Sequence, residues 1–391
     1  MKRIGLFLGA QPCSGGTFQY NLSMLDAVAS LPKKQFQVVV AYLNPLWRDY
    51  LKPYSMEEIK LPFSLPVRAW GKLLRACNLP VNRWQKTSKH LHPVIGTMAA
   101  QNCDLWIFPS QDDWSYRANV PALAAIHDLM HRYEGHFPEV SANGEYEKRE
   151  KHYSHMCKWS QGILVDSQVG LQQVHEYYGV PPEQIFVLPY VPPRYINEST
   201  NHQASQNYKL PPKYIFYPAQ FWEHKNHANL IKAIKLVKKN LSDIQLVLVG
   251  SPNNGYEKVL QLVNELNLQQ NIHFMGYVPD QDMPYFYHRA RAMVMPTFFG
   301  PTNIPQLEAF ALGCPTATSN IYGIPQQVGD AALLFNPHSV EEIARCIYLL
   351  WTDDDLCQKL VQKGMLHTQK WGHKQFNRRL LEIIRQTTSL Y

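Results

Sequence analysis

The sequence lacks long apolar runs, C-x-x-C cysteine pairs and dense lysine/arginine runs. No stretch approaches the roughly 20 apolar residues of a membrane-spanning helix, and the apolar start at residues 4–10 is too short for a secretory signal. The seven cysteines are odd in number and scattered, which favours a reducing compartment and gives no support to a zinc site. These absences predict a cytoplasmic protein, either soluble or peripheral on the inner face of a membrane.

The composition is that of a globular protein with real cores. Of 391 residues, 45% are apolar and 18% are charged, which excludes a disordered chain or a coiled coil. The formal charge of +7 is mild and favours anionic small molecules or an anionic surface over nucleic acid. At roughly 100–200 residues per domain, the length indicates two domains.

Short apolar runs alternate with segments of helical periodicity, as in parallel sheets covered by helices. Strands are predicted in the first half at residues 3–8, 36–42, 104–109, 122–126, 162–165 and 185–188. Further strands are predicted in the second half at residues 214–217, 245–249, 271–274, 292–295, 315–319 and 331–335. The polar stretch 194–212 indicates a linker. We therefore predict an α/β chain with doubly wound domains at 1–193 and 213–370, and a helix at 371–391 that could pack back on the first domain.

A basic segment at residues 59–103 contains no acidic side chain but seven lysine and arginine residues. Apolar residues of a predicted helix recur within it at i, i+3, i+4 and i+7: Trp70, Leu73, Leu74 and Cys77. Basic residues lie on a different stripe of the same helix: Arg68, Lys72 and Arg75. Two interpretations stay open. The region from Lys60 to Lys89 binds an anionic membrane surface, or its apolar stripe packs in an ordinary core.

A glycine-containing loop follows the first predicted strand and precedes a helix. Glycines such as Gly15 and Gly16 let backbone N–H groups approach a bound group, and a following helix N-terminus favours negative charge. A phosphate cradle and a purely structural turn are both compatible with this loop, since its spacing is not G-x-G-x-x-G.

His127 and Asp128 follow the strand predicted at 122–126, where open α/β sheets place their ligands. A histidine there can donate to or accept from a substrate hydroxyl. The alternative is a histidine whose hydrogen bonds are satisfied within the fold.

Two segments of the second half have the same strand-to-helix placement. Lys225, just before a helix N-terminus, is placed to hold a diphosphate, although an isolated lysine is more often solvated. In the segment 297–309, the backbone N–H groups of Asn303 and Ile304 can face a phosphate. Glu308, one turn into the following helix, can accept hydrogen bonds from a ribose.

Metal-binding patterns are poor. Asp353, Asp354 and Asp355 form a D-x-D pattern, but they stand between two predicted helices and are interpreted as a helix cap. The pair Asp112 and Asp113 follows a strand and has no assigned role. No metal and no cofactor are therefore expected.

Taken in order, these segments resemble the retaining glycosyltransferases of family four, the group 1 glycosyltransferases, which have the GT-B fold of two Rossmann-like domains facing across a cleft. Further similar passages are 162–189, 271–279 and 319–336. The resemblance implies a nucleoside-diphosphate sugar as co-substrate and a glycan or lipid-linked acceptor in polysaccharide biosynthesis. It implies His127, Lys225 and Glu308 as catalytic residues. It also implies a donor-binding set: Gly15, Gly16, Gln220, Lys225, Gly250, Tyr277, Val278, Gly300, Thr302, Asn303, Ile304 and Glu308.

The chain departs from the family pattern at residues that bear on activity. Gln220 stands where the family usually has arginine, and Gly300 replaces the first glutamate of its Glu-x7-Glu motif. Tyr190 and Val191 replace the usual Asn-Gly. These departures either lower activity or define a subgroup with its own donor contacts.

The resemblance implies metal-independent electrostatic catalysis, in which Lys225 and backbone near Thr302 and Ile304 stabilise charge on the leaving diphosphate. His127 orients the sugar or the reacting hydroxyls, and closure about the 194–212 linker excludes water. Two alternatives stay open: a non-catalytic nucleotide-sugar-binding relative and a sugar-nucleotide 2-epimerase with the same fold.

Overall fold

A computed structural model of the protein describes residues 1–12, 15–76, 80–198 and 208–389. The chain divides into two compact units. The first comprises Met1–Leu129, Glu147–Pro189 and His373–Tyr391, and the second comprises Met130–Tyr146 and Tyr190–Gly372. Residues 130–146, predicted within the first domain, thus belong to the second unit. Cys13, Ser14, Cys77 and residues 199–207 of the predicted linker lie outside the described residues.

Each unit is built on one parallel sheet. The strands are β1 Lys2–Leu8, β2 Phe36–Tyr42, β3 Glu57–Lys60, β4 Leu105–Phe108, β5 Ala122–Ala125, β6 Gly162–Val165, β7 Ile185–Val187, β8 Ile215–Pro218, β9 Leu246–Val249, β10 Ile272–Phe274, β11 Ala292–Met295, β12 Thr316–Ser319 and β13 Leu333–Phe335. The seven-stranded sheet has the order β3-β2-β1-β4-β5-β6-β7, and the six-stranded sheet has the order β10-β9-β8-β11-β12-β13. Every neighbouring pair is parallel.

Helices connect the parallel strands. They are α1 Gly16–Ala29, α2 Trp47–Leu51, α3 Leu65–Ala76, α4 Val81–Leu91, α5 Pro93–Ala99, α6 Trp114–Arg117, α7 Met130–Tyr133, α8 Pro138–Ser141, α9 Glu145–Trp159, α10 Gln168–Tyr178, α11 Tyr195–Glu198, α12 His227–Val237, α13 Tyr256–Glu265, α14 Met283–Arg289, α15 Pro305–Ala311, α16 Ile324–Val328, α17 Val340–Thr352, α18 Asp354–Lys370 and α19 His373–Ser389. Short 3-10 turns lie at Ala142–Gly144, Pro182–Gln184, Glu223–Lys225 and Asp280–Asp282.

The predicted α/β class with two doubly wound parallel sheets is confirmed, and each predicted strand is present. The interior strands β4, β5, β6, β9 and β11 are buried along their whole length, because helices cover both faces of each sheet. The edge strand β3 was not predicted. Its sequence Glu-Glu-Ile-Lys is polar and mostly exposed, so no apolar run marks it.

Two local predictions about the helices can be compared with the structure. The side chain of Asp353 accepts a hydrogen bond from the Leu356 N–H at 2.8 Å, which confirms that the aspartate triplet caps α18. The C-terminal helix α19 belongs to the first unit, where its apolar residues are buried and it packs against α1. The Phe376 and Tyr20 rings meet edge to face with centroids 6.3 Å apart.

The apolar stripe of the basic segment divides between core and surface. Leu74 is buried in the core of the first unit, with Val94 and Trp106. Trp70 and Leu73 are 43% and 57% exposed, and the Trp70 indole N–H donates to the Leu91 carbonyl of α4 at 2.8 Å. Only part of the amphipathic stripe therefore contributes to the core. None of the helices in the described ranges is both long and apolar enough to cross a membrane.

Candidate functional site

The predicted site residues lie in two groups, one in each unit. Gly15, Gly16 and His127 belong to the first unit, and the others belong to the second. Gly15 precedes α1 with a φ of 74°, and its carbonyl accepts the Gln19 N–H at 3.1 Å. This positive φ favours glycine at the loop that starts α1.

His127 directly follows β5, at the carboxyl edge of the first sheet. Its Nε2 lies 2.8 Å from the Pro109 carbonyl, and its backbone N–H donates to Gln111 Oε1 at 2.9 Å. A carbonyl can only accept, so Nε2 carries the proton and Nδ1 has the lone pair in the neutral ring. Burial lowers the pKa of His127, which favours that neutral form. Nδ1 is therefore the acceptor atom of this imidazole.

Gln111 organises the surroundings of His127, although no sequence pattern singled it out. Its side chain also accepts the Tyr153 hydroxyl at 3.2 Å, and its carbonyl lies 2.9 Å from His152 Nε2. Asp128 pairs with Arg149 of α9. These contacts join residues up to 42 positions apart, which explains why a local pattern could not reveal them.

Asp112 lies against the backbone where β1 ends. A Cβ atom at Gly9 would be 2.0 Å from Asp112 Oδ1, so only glycine leaves room for this carboxyl group. Asp112 Oδ2 is buried without a hydrogen-bond partner in the described part of the chain. Burial, followed by the nearby charge of Asp113, raises the pKa of Asp112 to about 8.

The Asp112→Asn variant should be more stable than the parent protein at alkaline pH. The pKa in the folded protein exceeds the ordinary value of 3.8, so ionisation opposes folding increasingly as pH rises from about 4 to about 8. Removing the charge should raise the free energy of unfolding by roughly 2–4 kcal/mol at pH 8.5. One pKa unit corresponds to about 1.4 kcal/mol, and the value is reduced because Asp112 is partly exposed and solvent screens its charge. Urea unfolding at pH 4.5 and 8.5 measures this. Equal gains at both pH values, or a gain shared by exposed Asp243→Asn, would contradict the assignment.

In the second unit, Lys225 ends the 3-10 turn Glu223–Lys225, which follows β8 and precedes α12. The Lys225 N–H donates to the Trp222 carbonyl at 3.0 Å, and the Lys225 carbonyl accepts the Tyr217 hydroxyl at 2.8 Å. The next residue, Asn226, has a φ of 59° and donates its side-chain amide to the carbonyls of Pro296 and Pro337. The backbone that carries the Lys225 ammonium is thus fixed from several directions.

Gln220, at the position of the family arginine, makes local contacts. Its Oε1 accepts the Trp222 indole N–H at 2.9 Å and the Asn253 amide at 3.3 Å. It therefore contributes to the shape of the loop and supplies no positive charge beside Lys225.

Gly250, Tyr277 and Val278 lie at the ends of the neighbouring strands β9 and β10. The Gly250 N–H donates to the Gly276 carbonyl at 2.9 Å, and a Cβ at Gly250 would be 2.2 Å from the Ala219 carbonyl oxygen. Tyr277 is 54% exposed, whereas Val278 is buried. The Tyr277 residue is therefore accessible at the end of β10, and its predicted role in binding the base stays a prediction.

The loop from Gly300 to Ile304 has a compact conformation of its own. Asn303 and Gln327 exchange two hydrogen bonds: the Asn303 N–H donates to Gln327 Oε1 at 3.0 Å, and the Gln327 amide donates to the Asn303 carbonyl at 2.7 Å. The Asn303 N–H, predicted to face a phosphate, is thus directed to Gln327. Thr302 and Ile304 are buried, and Gly300 has a φ of 99°.

Glu308 of α15 is buried and accepts hydrogen bonds from two tyrosines. Tyr195 of α11 donates at 2.7 Å and Tyr287 of α14 at 2.5 Å. Burial raises the pKa of Glu308 to about 6, and the two hydroxyls oppose that rise. The carboxylate predicted to bind a ribose is therefore held in place by two residues that sequence spacing did not reveal.

The Tyr287→Phe variant should lose more stability at pH 8 than at pH 5. At pH 8 the Tyr287 hydroxyl donates to the charged Glu308 carboxylate, and losing that hydrogen bond costs about 1.5–3 kcal/mol of stability. At pH 5 Glu308 is mostly protonated and neutral, and losing the same hydrogen bond costs about 1 kcal/mol. Urea unfolding at the two pH values gives the difference. Tyr285→Phe, on the same helix, is the matched control and should show no pH-dependent loss. An equal loss at both pH values would argue against the Glu308 contact.

No group of three or more His, Cys, Asp or Glu side chains among the described residues could hold a metal ion. Metal independence nevertheless stays a prediction, to be tested with a chelator.

Part of the chain is similar in sequence to known proteins. Residues 198–367 match the family described as glycosyl transferases group 1. O-antigen chain mannosyltransferase B of Escherichia coli is 31% identical over 161 residues, which is 41% of this chain and 42% of that protein. The serotype-specific mannosyltransferase WbdA of Escherichia coli is 26% identical over 282 residues, covering 66% of this chain and 33% of that protein. The chain therefore spans less than half the length of either relative.

The fold is shared with solved structures, two of which are named as glycosyltransferases. Anabaena HepE, in a crystal structure with UDP and glucose, aligns with a TM-score of 0.72 at 15% identity, covering 98% of this chain and 100% of that one. Sequence identity at this level establishes the shared fold alone, and it confirms the predicted GT-B class.

Proposed function

We propose that the protein is a glycosyltransferase, because residues 198–367 match the family of group 1 glycosyl transferases. It transfers a sugar from a nucleoside diphosphate to a hydroxyl group of a glycan or glycolipid in polysaccharide biosynthesis. The observation that carries this proposal is the Lys225 turn, which fixes the backbone of a lysine at the carboxyl end of β8 and the start of α12. This is where an open parallel sheet binds anionic ligands.

The proposed reaction relies on charge stabilisation by groups already in place. The Lys225 ammonium stabilises the negative charge that develops on the departing diphosphate. The acceptor hydroxyl attacks from the same face of the sugar and gives its proton to the leaving phosphate, so the anomeric configuration is retained. Neutral His127 orients the sugar or the reacting hydroxyl groups. No step in this scheme requires a metal ion or a carboxylate nucleophile.

Mannose is the first candidate for the transferred sugar. Both relatives described above are named mannosyltransferases, whereas the crystal structure of HepE contains UDP and glucose. The donor sugar and the base therefore need to be tested separately.

Thermal unfolding with a panel of nucleotide sugars tests the proposed function. Each donor is added separately at about 1 mM. The panel comprises GDP-mannose, UDP-glucose, UDP-N-acetylglucosamine, ADP-glucose and dTDP-glucose. A donor present at about 100 times its Kd should stabilise the protein by about 2.7 kcal/mol and raise its Tm. Stabilisation by one donor or one base supports the proposal, and no shift with any of them contradicts it.

We also propose that the α3–α4 surface associates with an anionic membrane. Large apolar side chains are exposed on or beside these helices: Phe63, Leu65, Trp70, Leu73 and Leu91. Basic side chains are exposed on the same helices: Arg68, Lys72, Arg83, Lys86 and Lys89. The absence of acidic residues throughout 59–103 makes this surface complementary to anionic lipid headgroups, at about 1 kcal/mol per cation near the membrane.

Co-sedimentation with vesicles containing phosphatidylglycerol tests the membrane proposal. Binding at low salt should weaken as salt screens the headgroups, and Leu73→Asp should reduce it further. Leu366→Asp is the matched control, because Leu366 of α18 is 55% exposed and Leu73 is 57% exposed. Absence of binding at low salt, or equal losses in both variants, would contradict the proposal.

A further inference from the structure

Residues 130–146 form a segment that follows His127 and Asp128 in sequence but belongs to the second unit. Its apolar side chains Met130, Phe137 and Val140 form a buried cluster with Phe299. The Phe137 ring lies 5.3 Å from the Phe299 ring, edge to face. The segment is therefore packed against the loop that leads to Gly300.

Glu139 is the buried charged group of this segment. Its side chain is 8% exposed and accepts three hydrogen bonds. Oε1 accepts the His224 N–H at 3.0 Å and the His224 Nδ1–H at 2.5 Å, and Oε2 accepts the Asn254 amide at 2.8 Å. These bonds hold the pKa of Glu139 at about 2 against the opposing effect of burial, so the carboxylate is charged at neutral pH.

His224 connects Glu139 to both loops of the proposed donor site. It precedes Lys225 in the 3-10 turn Glu223–Lys225. Its carbonyl accepts the Phe298 N–H at 2.8 Å, and its ring stacks on the Phe299 ring with centroids 3.9 Å apart. A displacement of His224 would therefore move the backbone of Lys225 and the start of the Gly300 loop together.

We propose that Glu139 is a positioning residue that holds the Lys225 turn, through His224, in the geometry that binds the diphosphate of the donor. This inference rests on the proposed function, because it assigns Lys225 to the diphosphate. It extends that function by naming a residue from outside the 198–367 family region. The carboxylate fixes two features of the turn, the His224 N–H and the His224 ring, directly before Lys225.

A glutamine cannot reproduce this arrangement. It has one acceptor oxygen in place of two, so its NH₂ group would face either the Asn254 amide or the two His224 donors. The side-chain volume stays nearly the same. Glu139→Gln should therefore loosen the turn without opening a cavity.

Calorimetric titration of the 391-residue protein with GDP, UDP, ADP and dTDP tests this inference in a double-mutant cycle. Whichever diphosphate binds the parent protein is titrated into Glu139→Gln, Lys225→Ala and the double variant. We expect Glu139→Gln to weaken diphosphate binding about tenfold, the effect of losing one charge-assisted hydrogen bond. Binding of the corresponding nucleoside, which lacks phosphates, should stay unchanged. In the Lys225→Ala background, Glu139→Gln should cause no further loss.

Glu134→Gln is the matched control on the same segment. In the described part of the chain, Glu134 accepts the Tyr322 hydroxyl at 2.5 Å and lies 3.6 Å from His136, away from the Glu139–His224 contact. Its variant should therefore bind diphosphate within about twofold of the parent. If circular dichroism shows that Glu139→Gln is unfolded, the titration uses Glu139→Asp. This variant keeps the negative charge on a side chain shorter by one methylene group. The aspartate should cause an intermediate loss of affinity.

The outcomes separate this inference from the proposed function. If the parent protein binds none of the four diphosphates, the proposed function fails and the inference fails with it. The inference alone is overturned if the parent binds a diphosphate and Glu139→Gln binds it equally well. It is also overturned if the affinity losses of Glu139→Gln and Lys225→Ala add in the double variant. Losses that reach the nucleoside as well as the diphosphate would also overturn it, because they would indicate a general structural role.

Discussion

The Lys225→Ala variant should lose about 100- to 1000-fold in kcat for sugar transfer. Removing one preorganised donor from a site of developing negative charge has an effect of this size in other enzymes. Here Tyr217 and Asn226 fix the backbone on either side of Lys225, and neutral Gln220 stands where the family usually has an arginine. Steady-state kinetics with the donor identified by thermal unfolding gives the value.

Lys232→Ala is the control for the Lys225 prediction. Lys232 is an exposed lysine of α12, the helix that Lys225 precedes. Its removal should leave kcat within about twofold of the parent value and the Tm nearly unchanged, as for surface substitutions in general. If Lys225→Ala keeps kcat within threefold of the parent, the proposed charge stabilisation is contradicted.

The Gly300→Glu variant should lose activity at least tenfold, although it restores the family's glutamate. Gly300 has a φ of 99°, a conformation that side chains with a Cβ rarely adopt. A Cβ there would lie 2.8 Å from Asn303 Nδ2 and 2.9 Å from the Thr302 carbonyl oxygen. The substitution would therefore displace Asn303 from its paired hydrogen bonds with Gln327. Kinetic assays and thermal unfolding of the same preparation measure both effects.

Gly179→Glu separates backbone strain from steric conflict. Gly179 ends α10 with a φ of 64°, and a Cβ at this position meets no atom within 4 Å. This control should lose about 1 kcal/mol of stability and keep its activity. A Gly300→Glu variant more active than the parent would show that the loop readily accepts glutamate and that Gly300 simply lacks a useful group.

The sequence predicts the fold well because the apolar runs of buried strands recur along the chain. Parallel strands covered on both faces need continuous apolar runs, and those runs mark strands such as β4 and β9. The exposed edge strand β3 has no such run. The assignment of residues 130–146 to the second unit also lies beyond pattern analysis, because it depends on contacts with residues as far along the chain as Phe299 and Tyr322.

In the candidate site, too, the sequence predicts some features and leaves others unpredicted. The sequence predicts where Lys225, His127 and the Gly300 loop lie, because each follows a strand and apolar runs mark these strands. It does not predict their partners, since Glu139 meets His224 across 85 residues and Tyr195 meets Glu308 across 113. Such pairs carry no spacing signal in a single sequence.

The central claim is that Lys225 serves a metal-independent transfer from a nucleotide sugar. The measurement that tests it most directly is release of nucleoside diphosphate from the donor panel, with and without EDTA, for the parent protein and Lys225→Ala. Water is a slow substitute for the acceptor, so release needs no knowledge of the natural acceptor. We expect release from one donor, unchanged by EDTA, with retained configuration of the freed sugar by NMR, and nearly absent in Lys225→Ala. Release that EDTA abolishes, or that Lys225→Ala preserves, would contradict the claim.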